Sequence, residues 1–187
     1  MKNTISKLLQ DSASLKQKVA ADASLVAVIE KAFLQIKKTV HCGGTVYACG
    51  NGGSACDAMH FTEELVARYK RERQGFRAMH FLDPGTLTCW SNDYSYEAAF
   101  ERQARVFCTK NDILLGISTS GKSKNILAAF KAAREAGAYT IGLTGKDGGL
   151  FPSACDTAII VPSQETERIQ EVHITLIHII CELLETT

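Results

Sequence analysis

The chain opens on two stretches in which apolar residues recur at helical spacing. Ile5, Leu8 and Leu9 form the first stripe; Leu25, Val26, Ile29, Phe33 and Ile36 form the second. The spacing predicts helices over residues 1–40, with Asp22 or Ser24 placed to cap the second. Gly43-Gly44 close this region. Beyond it the pattern changes to short apolar runs alternating with longer amphipathic ones. Residues 45–49, 78–82, 113–117, 139–143 and 157–161 predict strands. Residues 54–72, 95–108, 123–136 and 165–185 predict helices, and Gly137 is placed to end the third of these. Asp83-Pro84-Gly85 reads as the stop after the second strand. Strands of this kind, alternating with helices, imply an α/β three-layer sandwich: a five-stranded parallel sheet covered on both faces. The helices before the first strand form an N-terminal extension (residues 1–40) on an α/β core (41–187), read together as one domain. Their apolar stripe needs a partner, either the core or another subunit.

Composition narrows the function classes. The 187 residues carry 21 Lys and Arg against 20 Asp and Glu, a net charge of +1. That balance gives no electrostatic footprint for nucleic acid. The one basic run, Arg68 to Arg73, reads as a solvated helix end, where cations oppose the helix dipole. Seven cysteines, an odd number with no C-x-x-C pair, exclude a zinc ribbon or a thioredoxin-like motif and fit a reducing compartment. The N-terminus has no signal-peptide pattern, and no run is long and apolar enough to span a membrane. The expectation is a cytoplasmic protein with no membrane and no nucleic-acid partner.

Ligands on parallel sheets bind beyond the carboxyl ends of the strands, so the loops after Cys49, Ile117 and Leu143 matter most. The loop after the third strand reads Ser118-Thr119-Ser120-Gly121-Lys122-Ser123 and runs into a helix. Four hydroxyls within six residues, at a helix N-terminus with free N–H groups, suit a phosphate. The bland alternative is an ordinary Ser cap and turn. The first loop, Cys49-Gly50-Asn51-Gly52-Gly53-Ser54, permits close backbone approach to a ligand. It departs from the dinucleotide fingerprint, since Ala55 stands at the third glycine position and the acid that motif requires is misplaced.

The helix that follows carries Asp57, His60, Glu63 and Glu64. His60 and Glu64 are four apart and share a face; Glu63 is also within reach by spacing. The last helix holds Gln170, His173 and His178 in an apolar background. His173 reads as a core histidine with one satisfied hydrogen bond. Asp93 stands as one further carboxylate, read as a strand-end residue. A carboxylate beside a His and a phosphate cradle supplies what aldose–ketose isomerisation needs: a base, an acid and stabilisation of an enediolate. His and carboxylate are also accepted zinc ligands, though spacing alone fixes no metal.

Four segments, C-G-N-G-G-S-A-C-D-A-M-H-F-T-E-E-L (49–65), L-L-G-I-S-T-S-G-K-S (114–123), L-T-G-K-D-G-G (143–149) and R-I-Q-E-V-H-I-T-L-I-H (168–178), resemble the bacterial phosphoheptose isomerases of the sugar-isomerase (SIS) fold. The resemblance spans the whole chain. It implies a SIS-type sheet, a homotetramer with active sites between subunits, and a sugar-phosphate substrate. The implied reaction converts D-sedoheptulose 7-phosphate to D-glycero-D-manno-heptose 7-phosphate, the first step toward the activated heptose of lipopolysaccharide core. It assigns Glu64 as general base and His178 as its acid/base partner, with His60, Glu64, Gln170 and His178 around zinc. Ser118, Ser120 and Ser123 would hold phosphate, and Asn51, Gly52, Gly53, Ser54, Asp93, Thr119 and Gln170 would contact the substrate. The chain departs from the family at Glu167, where Asp is common, and at Asp83–Thr86 and Trp90.

Three rivals stand beside this reading: a non-catalytic SIS protein of the replication-initiation accessory type, a SIS regulatory module, and an isomerase of another sugar phosphate. The first lacks the catalytic His and Glu positions, which this chain keeps. The second needs an attached domain for which there is no length.

Overall fold

A computed structural model describes residues 1–186 of the chain. Two helices, α1 (Lys2–Ala21) and α2 (Ala23–His41), precede the sheet. Asp22 separates them and caps α2: its Oδ1 accepts from the Ser24 and Leu25 N–H groups, each at 3.0 Å. The sheet strands are β1 (Val46–Gly50), β2 (Ala78–His80), β3 (Ile113–Ser118), β4 (Tyr139–Gly145) and β5 (Thr157–Val161). All pair in parallel, in the order β2-β1-β3-β4-β5. Between and after them run α3 (Gly53–Val66), α4 (Pro84–Asp93), a 3-10 turn (Tyr96–Ala98), α5 (Ala99–Phe107), α6 (Lys124–Glu135), α7 (Phe151–Ala154) and α8 (Thr166–Thr186).

Alternation along the strands sorts the core into two layers. Val46, Ala48, Ile113 and Leu115 face α2, α3 and α8, packing on Phe33, Ile36, Phe61, Leu65 and Leu176. Tyr47, Cys49 and Leu114 face the other way, against Phe100, Ile126, Phe130 and Phe151. β1 and β3 are buried throughout, as fits central strands of a doubly covered sheet. α2 thus contributes to the core, whereas α1 buries only Val19 and leaves Ile5, Leu8 and Leu9 exposed. Arg168 of α8 reaches α1, donating from Nη1 to the Leu8 carbonyl at 2.9 Å. Among the described residues no helix is long and apolar enough to cross a membrane.

The structure departs from the sequence expectations in three places. The helix expected over 54–72 ends at Val66, because Arg73 folds back and donates to the Glu64 and Leu65 carbonyls at 2.8 and 3.0 Å. The N–H of Phe76 takes the Leu65 carbonyl as well. The last carbonyls of α3 are therefore satisfied from outside the helix, and the turn stops there. Arg73 is accordingly held against the protein, not solvated. Second, Asp83-Pro84 starts a helix as well as ending a strand: Asp83 Oδ1 accepts from the Thr86 N–H at 2.8 Å and Pro84 takes the first helical position. Asp93 is therefore the last residue of α4 and not a strand end. Third, the short helix α7 follows the glycine-rich turn after β4, where none was expected.

Candidate functional site

The carboxyl ends of β1, β3 and β4 lie side by side, with Gly50 opposite Ile117 and Ser118 opposite Thr144. This brings the two loops singled out from sequence to one rim of the sheet. Ser118 ends β3 and is buried, and its Oγ lies 2.9 Å from Ser123 Oγ and 3.5 Å from Ser120 Oγ. Ser123 occupies the N-cap position of α6, yet its hydroxyl makes no capping bond. It turns instead toward Ser118, so the plain cap reading fails here. Gly121 makes the turn possible: its φ is +62°, and a Cβ there would run into the Gly148 carbonyl. Ser118, Thr119, Ser120 and Ser123, with Asn51, Ser54, Thr166 and Gln170, line a cavity of about 210 Å³. Hydroxyls and a helix N-terminus converging on a small cavity make an anion cradle.

Asn51 is oriented by residues that spacing did not single out. Its Oδ1 accepts from Asn125 Nδ2 at 2.8 Å and from Tyr96 OH at 2.7 Å, while its Nδ2 donates to Asn125 Oδ1 at 3.0 Å. Asn125 itself is buried on α6. With Asn51 Oδ1 accepting two bonds, the amide keeps a second N–H that has no partner in this lock, and the residue lines the cavity. The only sequence signal for this lock was a polar residue on the inner face of α6.

The acid/base groups meet beside this cradle. His60 Nε2 and Glu64 Oε1 are 3.1 Å apart, one turn along α3. His178 of α8 sets its ring edge-on to His60, with centroids 5.1 Å apart. Ligand atoms of His60, Glu64 and His178 all lie within 4.8 Å of one another. Two imidazoles and a carboxylate at that separation fit a zinc ion. Glu63, the alternative by spacing, is exposed and faces away toward Met59, Thr62 and Val66.

Gln170 joins the two halves. It lines the hydroxyl cavity and also a second depression, of about 370 Å³, with Asp57, His60, Glu167 and Glu171. Gly53 lies flush against it: a Cβ there would come within 2.6 Å of Gln170 Nε2. Gly52 opens α3 with φ +56°. In the second depression Asp57 Oδ2 and Glu171 Oε2 are buried without a hydrogen-bond partner. Burial pushes the Asp57 carboxyl up to about 6, against the opposing pull of His60. Asp93 stays exposed, bonded to Asn92 at 2.9 Å, and is not among the residues lining either hollow.

His173 is the core histidine that its apolar setting suggested. It is fully buried, donates from Nε2 to the Thr144 carbonyl at 3.1 Å, and burial lowers its pKa to about 4. A further hollow, of about 590 Å³, lies at the opposite end of the sheet. Its carboxylates are already engaged by the protein: Asp112 takes the Thr45 and Thr109 N–H groups, and Asp156 takes that of Thr140.

Known proteins resemble this chain in sequence and in fold. The SIS domain family matches residues 9–145. A phosphoheptose isomerase of Vibrio cholerae is 47% identical over 178 residues, covering 95% of this chain and 93% of that protein. One from Helicobacter pylori is 46% identical over 175 residues, covering 91% of each. Among solved structures, a phosphoheptose isomerase from Neisseria gonorrhoeae superposes with a TM-score of 0.92 at 35% identity, covering 100% of this chain and 99% of that one. One from Francisella tularensis gives 0.93 at 32%, covering 99% and 98%. Identity at this level over nearly the full length, with the same fold, places the chain in the SIS domain family, among the phosphoheptose isomerases.

Proposed function

We propose that the protein isomerises D-sedoheptulose 7-phosphate to D-glycero-D-manno-heptose 7-phosphate, for heptose biosynthesis. The observation that carries this reading is the convergence of His60, Glu64 and His178 beside a hydroxyl-lined anion cradle, with Gln170 lining both. The cradle of Ser118, Ser120 and Ser123 anchors the phosphate, and Asn51 donates to a sugar oxygen. Anchoring at the phosphate end holds the carbonyl end against Glu64 and His178. Glu64 removes a proton from the hydroxymethyl carbon next to the ketone, and the electron pair moves into an enediolate. A proton added to the former carbonyl carbon, with loss of the proton from the neighbouring hydroxyl, leaves the aldehyde. His178 moves the oxygen-bound protons.

His60, Glu64, Gln170 and His178 would hold zinc, which polarises the substrate oxygens when bound. The exposed Ile5, Leu8 and Leu9 of α1, which the chain itself leaves uncovered, support a homotetramer packed through the N-terminal helices. In this reading the chain is one SIS domain, residues 41–187 the core and 1–40 the packing extension, and it works in the cytoplasm. The converging acid/base groups have no use in a purely protein-binding SIS factor.

The test is turnover of D-sedoheptulose 7-phosphate by wild type beside Glu64→Gln. The amide keeps the shape and cannot accept the proton, so turnover should fall by about 10²- to 10⁴-fold. Unchanged turnover in the variant would remove Glu64 as the base. No turnover by correctly assembled wild type with zinc present would move the assignment to another sugar phosphate.

A further inference from the structure

α3 carries Glu64 and α8 carries His178, and the two helices are tied together at the end of α3 and about two turns beyond His178 on α8. Glu185 lies seven residues after His178, on the same side of α8. Its carboxylate is almost wholly buried, with its side chain 3% exposed, and it accepts three backbone N–H bonds. Tyr69 N–H reaches Oε1 at 3.0 Å; Lys70 and Arg71 N–H reach Oε2 at 2.9 and 3.0 Å. Arg73 closes the bracket: its Nε is 3.3 Å from Glu185 Oε1, while its two Nη atoms hold the carbonyls of Leu65 and Glu64 itself. The stretch pinned in this way delivers the Tyr69 ring to His178, with centroids 5.9 Å apart. Burial alone would favour the neutral acid, but the donors from Lys70, Tyr69 and Arg71, with Arg73 beside them, hold Glu185 below the usual carboxylate range.

A buried carboxylate with three N–H donors and an arginine beside it is not needed to end a surface helix, since a lysine or water would serve. Here it joins the C-terminus of α3 to the last turn of α8, and what lies between is the Glu64–His178 pair. We propose that Glu185, through Arg73 and the Tyr69 loop, is a positioning residue for the isomerase site. It fixes the spacing of the two acid/base groups and the orientation of the His178 ring. This rests on the isomerase reading for its kinetic consequence and on geometry alone for the ring contact.

In Glu185→Gln an NH2 group replaces one acceptor oxygen and opposes at least one backbone N–H, and the charge facing Arg73 is lost. The expected result is a fall in kcat of about tenfold or more, with KM within about twofold, because the phosphate cradle is untouched. A second variant, Tyr69→Leu, removes the ring and leaves Glu185 in place. If Glu185 acts through the Tyr69 loop, the double variant loses less than the product of the two single losses. Independent additive losses, or a loss in which KM rises in step with a collapsed thermal midpoint, would overturn the proposal.

A readout that does not depend on substrate separates this from the isomerase reading. The chain has five histidines, so ring resonances of histidine-labelled protein resolve, and His178 is assigned by its disappearance in His178→Gln. Its ring signal should move in Glu185→Gln toward its position in Tyr69→Leu. A His178 signal unmoved in Glu185→Gln would overturn the positioning role even if wild type turns over. A shifted signal in a protein without turnover on this substrate would uphold the bracket and defeat only the substrate assignment.

Discussion

Gly53→Ala isolates the link between the two halves of the site. The added Cβ would stand 2.6 Å from Gln170 Nε2 and 3.2 Å from its Cδ. Ordinary contact begins near 3.4 Å, so the amide must retreat by about 0.8 Å, the difference between 3.4 and 2.6 Å. The obstacle is the end of a flexible side chain, so the fold accommodates it. Alanine also favours the first turn of α3 by up to about 1 kcal/mol over glycine. Stability should therefore hold or rise slightly. Activity should not: a misplacement near 1 Å in a positioning group costs up to about 10²-fold, which puts the expected loss in kcat/KM at about 10- to 100-fold. The assay is turnover of D-sedoheptulose 7-phosphate alongside thermal unfolding, with Gln170→Ala and the double variant as companions. In the Gln170→Ala background the glycine change should cost little, because the group it displaces is gone. Turnover within twofold of wild type for Gly53→Ala, or an equal loss in both backgrounds, would refute the placement of Gln170 in the site.

Three further outcomes follow from the geometry. Ser123→Ala should raise KM by about 10- to 100-fold, the worth of one hydrogen bond to a charged group, with little change in kcat and a stability loss of about 1 kcal/mol, since this hydroxyl caps nothing and gives up only its bond to Ser118; steady-state kinetics and thermal unfolding check both halves. His173 is held neutral with a pKa of about 4, against 6.5 for a free side chain. The unfolded chain therefore binds a proton that the native state refuses between those values, and stability falls as pH drops through that window. The contribution is roughly 3 kcal/mol at its full extent, absent above about pH 7, and denaturant titrations of wild type and His173→Gln across pH 4–7.5 should show it only in wild type. Chelator treatment should abolish turnover and zinc should restore it; full activity of metal-free protein, verified by elemental analysis, would discard the zinc assignment.

Much of this protein is written locally in its chain. The alternation of short apolar runs with amphipathic stretches dictates a parallel α/β sheet, because strands buried on both faces have no polar side to show. The hydroxyl-rich run from Ser118 to Ser123 and the pair His60 and Glu64 are also local facts, fixed by a turn and by one helical repeat. Asp22 capping α2 is of the same kind.

Tertiary structure decided the rest, where the determining partner lies far along the chain. Where α3 ends depends on Arg73 and Phe76 supplying donors to its last carbonyls, and no helical periodicity encodes that. The choice of Glu64 over Glu63 follows from which side of α3 meets α8 and His178, 114 residues later. The lock on Asn51 needs Asn125 and Tyr96, brought together only because β1 and β3 are neighbours in the sheet. Arg73 in the basic run looked solvated, since its ion-pair partner, Glu185, is at the other end of the sequence. Local pattern sets which elements form; the packing of one element on another sets which polar groups find each other, and the chemistry resides in those encounters.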